Sequence, residues 1–236
     1  MLCIKAQCWC YKRIDRETKM QSPARLAFLI YFGVTLSKGL WFPYLPDSYF
    51  WVADVLCFVV LPAALVFGLK LPLLPEYAIG IKKPRREPPS TLIFFSLILG
   101  ISLWAAYSLS GYFAQSLIQN LSGLFPVQIS YTAHIPKSGF WAFFVVVYFA
   151  LTAGLVEEYF FRGLLNTAMA QTVTKNVFVY VIVSTISFTA IHWAGGAKNL
   201  VSTFLPGLVL AVAFVRTRDL RVCMLGHGLF WLKWLF

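Results

Sequence analysis

The 236-residue chain is 59% hydrophobic and 12% charged, with a mean hydropathy of +0.73 and a net charge of +11. A soluble globular domain is about half apolar and a quarter charged, so both departures point to an integral membrane protein and exclude a water-soluble enzyme. The net charge does not indicate a nucleic-acid binder: the basic residues fall in short clusters between apolar runs, "YKRIDRETK" (11–19), "IKKPRRE" (81–87) and "RTRDLR" (216–221). Cytoplasmic loops facing anionic lipid have this pattern, and no aromatic-and-basic platform for nucleic acid accompanies it.

The N-terminal segment is basic and carries Cys3, Cys8 and Cys10. With no histidine beside them these cysteines do not form a zinc site; in a host with the chemistry they are candidates for palmitoylation. The first apolar run begins near Leu26 and is too long for the h-region of a cleavable signal. Apolar runs follow at roughly 24–42, 48–69, 91–113, 139–160, 176–193, 199–215 and 222–236, most of them near the ~20 residues that carry a helix across the hydrocarbon core. They are too continuous for barrel strands. The expected fold is an all-α, polytopic transmembrane helix bundle of about seven spans. The lysine and arginine clusters put the N-terminus and the 70–90 and 216–221 loops in the cytoplasm. The nearly uncharged 114–138 segment then lies outside, in part as an interfacial helix, and seven spans leave the C-terminus outside. In a bacterium the membrane is the plasma (inner) membrane. Cys57 and Cys223 sit within apolar runs as packing residues. His134, in the external segment, has the setting of an ordinary loop residue.

The fourth run leads into "GLVEEYFFRGLLN" (154–166). One charge at the centre of a membrane helix costs about 2.5–3.5 kcal/mol on insertion scales, and this stretch holds Glu157, Glu158 and Arg162. Glu158 and Arg162 are four apart with the acid first, so they share a helix face and can pair. Glu157 lies about 100° round the helix from Glu158 and has no local partner. Taken alone, the cluster fits the interfacial end of a span, where charges snorkel. Two further residues weigh against that. "VIVSTISFTAIHWAGG" (181–196) closes one run with His192, and "VCMLGHGLFW" (222–231) sets His227 between Gly226 and Gly228, which let another backbone approach. Ionisable residues inside a membrane mark function by default. One carboxylate and two imidazoles suit a catalytic zinc set, metal-free hydrolysis with Glu157 as general base, or the proton relay of a carrier. Residue types alone leave all three open.

"EEYFFR" (157–162), "FTAIH" (188–192) and "HGLFW" (227–231) come in this order on successive apolar segments. They resemble the Glu-Glu-x-x-x-Arg, Phe-x-x-x-His and final His-x-x-x-Asn motifs of the CAAX-type intramembrane endopeptidases. This CPBP (Abi) group includes type II prenyl-protein proteases and bacteriocin-processing relatives. The resemblance covers about residues 139–236 and makes them a catalytic core of four spans. Residues 1–138, the N-terminal cytoplasmic segment and the first three transmembrane helices, match only in being helical. The resemblance implies hydrolysis of a peptide bond in a membrane-anchored or transmembrane-tailed protein or peptide. It implies that Glu157 activates water, that His192 and His227 orient it and stabilise the oxyanion, and that Glu158 and Arg162 hold the site together. It implies a glutamate-dependent mechanism without a cofactor, with zinc as the competing possibility.

Two features depart from the pattern. Trp231 stands where the family usually has asparagine, and an indole donates one hydrogen bond but accepts none. Asn199, in "GGAKN", is a candidate for the missing polar group. Depth is the second: spans ending at 160 and 193 put Glu157 and His192 near opposite faces of the membrane. Convergence requires that the helix from 139 run on towards Gln171, or that spans break, with "LTAG" (151–154) and "AGG" (194–196) as break points. The alternative function is a non-catalytic membrane partner or immunity-type protein with a degenerate site, which Trp231 favours.

Overall fold

The computed structural model describes residues 23–74, 88–113, 115–124, 131–136, 138–172 and 176–235. Cys3, Cys8, Cys10 and the basic clusters 11–19 and 81–87 lie outside the described residues. The apolar runs become helices, the one element that satisfies its own backbone in hydrocarbon. They are α1 (Pro23–Tyr44), α2 (Ser48–Gly68), α3 (Pro89–Phe113), the short α4 (Gln115–Leu121), α5 (Phe140–Met169), α6 (Val177–Ala190), α7 (Gly196–Thr217) and α8 (Leu220–Trp231). Among the described residues there is no strand, and the protein is an all-α, polytopic bundle. Among the described residues five helices, α1, α2, α3, α5 and α7 with the turn before it, are long and apolar enough to cross a membrane. The other two expected spans are short: α6 has 14 residues and α8 has 12.

The outer surface is apolar, as lipid requires. Ile93, Phe94, Ile101 and Trp104 of α3 and Phe140, Trp141 and Phe143 of α5 all point outward. The interior mixes aromatic rings with charge: Tyr31 stacks on Phe160 with centroids 3.9 Å apart, and Glu158 and Arg162 are fully buried nearby. Cys57 and Cys223 pack in this core as expected. α8 packs between α3 and α5, α6 lies along α7, and α3 also touches α7. Small residues set the closest crossings. A Cβ on Gly154 of α5 would stand 2.5 Å from the Met224 carbonyl oxygen of α8, and one on Gly228 would stand 3.2 Å from the Ala150 carbonyl oxygen. Glycine on α8 thus brings His227 against α5, in the manner of small-residue membrane interfaces.

α5 does not break at "LTAG". It widens into π-helical turns over Thr152–Glu157 and again over Tyr159–Leu164. Such turns are rare and recur at functional sites. Hydroxyls of α6 satisfy the loosened backbone: Ser184 donates to the Phe161 carbonyl at 2.9 Å and Tyr180 to the Arg162 carbonyl at 3.4 Å. α2 is π-helical over Leu56–Val60, just before Pro62, which has no N–H to give the Phe58 carbonyl.

The depth conflict disappears because α5 runs on to Met169, past the expected end of its span at 160. At 1.5 Å per residue Glu157 stands about 18 Å from the Met169 end of α5, and His192 about 22 Å from the Val177 start of α6. The two helices meet at that end, so the two residues lie near one level. "AGG" is a true break: after a 3-10 turn at Trp193–Gly195, Gly196 takes φ +72°, a left-handed value that a side chain would resist, and α7 turns back.

Candidate active site

Glu157 on α5, His192 at the end of α6 and His227 on α8 all line one cavity of about 360 Å³. Glu158 and Arg162 do not line it; they form a sealed cluster behind it. Arg162 Nη1 donates to Glu158 Oε1 at 3.0 Å, with both side chains fully buried. Arg162 Nη2 donates to the Gly207 carbonyl of α7 at 3.1 Å, and its guanidinium lies 4.3 Å from the Phe188 ring centroid. Glu158 Oε1 also meets Nδ1 of His227 at 2.8 Å. The expected Glu158–Arg162 pair is therefore present, and it ties α5 to α7 and α8.

The two histidines are held differently. His192 Nδ1 lies 2.7 Å from the Phe188 carbonyl, which can only accept, so Nδ1 carries a proton and the neutral ring has its lone pair on Nε2. His227 Nδ1 rests on a carboxylate, so its doubly protonated form has a counter-ion in place. Phe188 lies between them, with ring centroids 4.8 Å from His192 and 5.8 Å from His227. Among the described residues no group of three His, Cys, Asp or Glu side chains is placed to hold one metal ion.

Trp231 is in the cavity wall, stacked on Phe149 with centroids 5.2 Å apart. Asn199 is there too, and its side-chain N–H donates to the His192 carbonyl at 3.4 Å. His134 is outside the cavity; its ring stacks on Phe50 of α2 at 3.7 Å, a packing role rather than that of a plain loop residue. Lys38 of α1 and Asp54 of α2 also line the cavity and were not anticipated. The rule that singles out Glu157, an ionisable residue within an apolar run, applies equally to both.

Residues 139–232 match the family model described as type II CAAX prenyl endopeptidase Rce1-like. The matched segment contains Glu157, Glu158, Arg162, His192 and His227, and it excludes α1, α2 and α3. No curated protein and no solved structure matches the chain. The family is one of CAAX endopeptidases, hydrolases that act on membrane-associated proteins. Residues 139–232 are thus similar to the Rce1-like family, in agreement with the resemblance carried by the three sequence motifs.

Proposed function

We propose that the protein is an intramembrane endopeptidase that cuts a lipid-anchored or transmembrane-tailed protein or peptide, with Glu157 as general base. One observation carries this: Glu157, His192 and His227, from three helices, face the same cavity. Glu157 takes a proton from water as the oxygen attacks the scissile carbonyl. His192 Nε2, with its lone pair free, accepts the water's other proton in a hydrogen bond and aims the attack. His227, protonated against Glu158, donates from Nε2 to the oxyanion that forms. The tetrahedral intermediate then collapses, the C–N bond breaks, and Glu157 passes its proton to the leaving amine. The scheme uses no metal, and metal analysis of the purified, active protein checks that point: stoichiometric zinc lost together with activity on chelation argues against it.

The basic segments 11–19, 81–87 and 216–221 suit the anionic cytoplasmic leaflet, with the N-terminus on that side. Arg216 and Arg218 are exposed, while Arg221 pairs with Asp219 at 2.6 Å. The test of function is cleavage of an internally quenched peptide carrying an S-farnesyl cysteine by the wild type and by Glu157→Gln in detergent. Loss of about 10²- to 10⁴-fold in the variant is expected. A fully active Glu157→Gln would remove the peptidase function. Absence of cleavage by both, with the biological phenotype unchanged by Glu157→Gln, would favour the non-catalytic partner that Trp231 suggests.

A further inference from the structure

α1 and α2 lie outside the family-matched segment, yet each puts an ionisable side chain into the cavity wall. Lys38 is 3% exposed and Asp54 is 1% exposed. A buried charge pair is a weak device for stability alone, because apolar side chains of similar size fill the same space without desolvation cost. Tyr148 of α5 holds Asp54, its hydroxyl donating to Oδ2 at 2.7 Å. The Lys38 ammonium lies 4.3 Å from the centroid of the Phe58 ring. It shares the cavity wall with both Asp54 and Glu157.

The other cations near the site are differently placed. Arg162 is committed to Glu158 and the Gly207 carbonyl, outside the cavity. Lys198 is exposed, and Lys233 packs over the Tyr107 and Phe230 rings at 4.2 and 3.9 Å. Among the described residues that line the cavity, Lys38 is the buried cation that shares the wall with Glu157.

We propose that Lys38 is a positioning residue for the hydrolysis: its ammonium is the counter-charge across the cavity for the Glu157 carboxylate, held there by Asp54, which Tyr148 anchors to α5. The proposal rests on the peptidase function and extends the active site beyond the segment that carries the family's motifs.

The test uses the full chain in detergent, the farnesylated quenched peptide, separate kcat and KM values, and thermal unfolding. Lys38→Met alone leaves Asp54 without its cation and is expected to impair folding. The decisive variant combines Lys38→Met with Asp54→Asn, which removes both charges. Its unfolding midpoint is expected near wild type, with kcat down about 10- to 100-fold and KM within about threefold. In a Glu157→Gln background the same pair is expected to change the residual rate no further, since the group it serves is already gone. Lys38→Arg, which keeps the charge, is expected to retain most of the wild-type kcat. A double variant with wild-type kcat, one whose loss lies only in KM, or one that does not fold makes Lys38 a structural partner of Asp54 and overturns the proposal. A fully active Glu157→Gln would instead remove the peptidase function itself, so the two failures are told apart.

Discussion

Glu157 and Glu158 are neighbours in the chain, and their surroundings are opposite. Glu157 faces the cavity that His192 and His227 also line. Glu158 is sealed, bound to Arg162 at 3.0 Å and to His227 at 2.8 Å, and has no share in the cavity wall. One region turns a carboxylate to a cavity; the other satisfies a carboxylate with protein groups. What the difference teaches is a division of labour by one step of helix rotation. The sealed cluster fixes α5, α7 and α8 relative to one another, and the open face is then free to hold a reactive group. His227 joins the two, with Nδ1 on Glu158 and its ring at the cavity.

The largest expected effect breaks the pair apart most directly. Glu157→Gln keeps shape and removes the proposed base, so cleavage of the farnesylated peptide is expected to fall by about 10²- to 10⁴-fold. Its thermal unfolding midpoint is expected to stay level, because a neutral amide is no worse buried than a carboxylate. Arg162→Leu is expected to behave in the reverse sense. It takes the arginine from the buried Glu158 and leaves His227 as its remaining partner, which costs about 3–5 kcal/mol of stability. The measurement is unfolding in detergent, with the activity loss tracking the unfolded fraction. If Glu157→Gln unfolded the protein, or Arg162→Leu spared it, the division of labour would not hold.

Gly154→Ala sharpens the comparison because both regions hang on one helix crossing. The added methyl meets the Met224 carbonyl oxygen and the Gly228 backbone, not the end of a flexible side chain. α5 and α8 must move apart, at a cost of about 1–3 kcal/mol. That movement draws His227 from Glu158 and from the cavity together. Stability and kcat are therefore expected to fall in parallel, by unfolding midpoint and initial rate, and a loss in only one of them would show that the regions are held independently.

The bundle, its class and the residues of the sealed pair were legible in the sequence because a charge inside an apolar run is a local signal with a local partner: Glu158 and Arg162 are one turn apart. The convergence was only partly legible. Beyond Arg162 the chain reads "GLLNTAMAQT", whose lower hydropathy hides the continuation of α5 to Met169. The shortness of α6 depends on where Gly196 adopts its left-handed turn, which the "AGG" stretch marks but does not measure. Lys38 and Asp54 carry the same signal, a charge inside an apolar run, but neither has an opposite charge within its own run. Their place depends on pairings across long separations, such as Tyr148 with Asp54 and the Trp193 indole N–H donating to the Leu36 carbonyl at 2.6 Å. No periodicity in a single run announces such contacts.

The smallest expected effect concerns Trp231, the position that departs from the family's asparagine. Trp231→Phe keeps an aromatic ring against Phe149 and removes the indole N–H together with part of the ring from the cavity wall. Asn199 already brings an amide to that wall, fixed near the His192 carbonyl. If that amide has taken over the polar role, losing the indole donor costs no more than one ordinary hydrogen bond, about tenfold or less in kcat. Stability is expected to hold, because ring-on-ring packing is retained. A fall of about 10²-fold or more, the scale of a lost oxyanion donor, would place the indole itself at the reacting oxygen. Asn199 would then be a support for the His192 turn and nothing more.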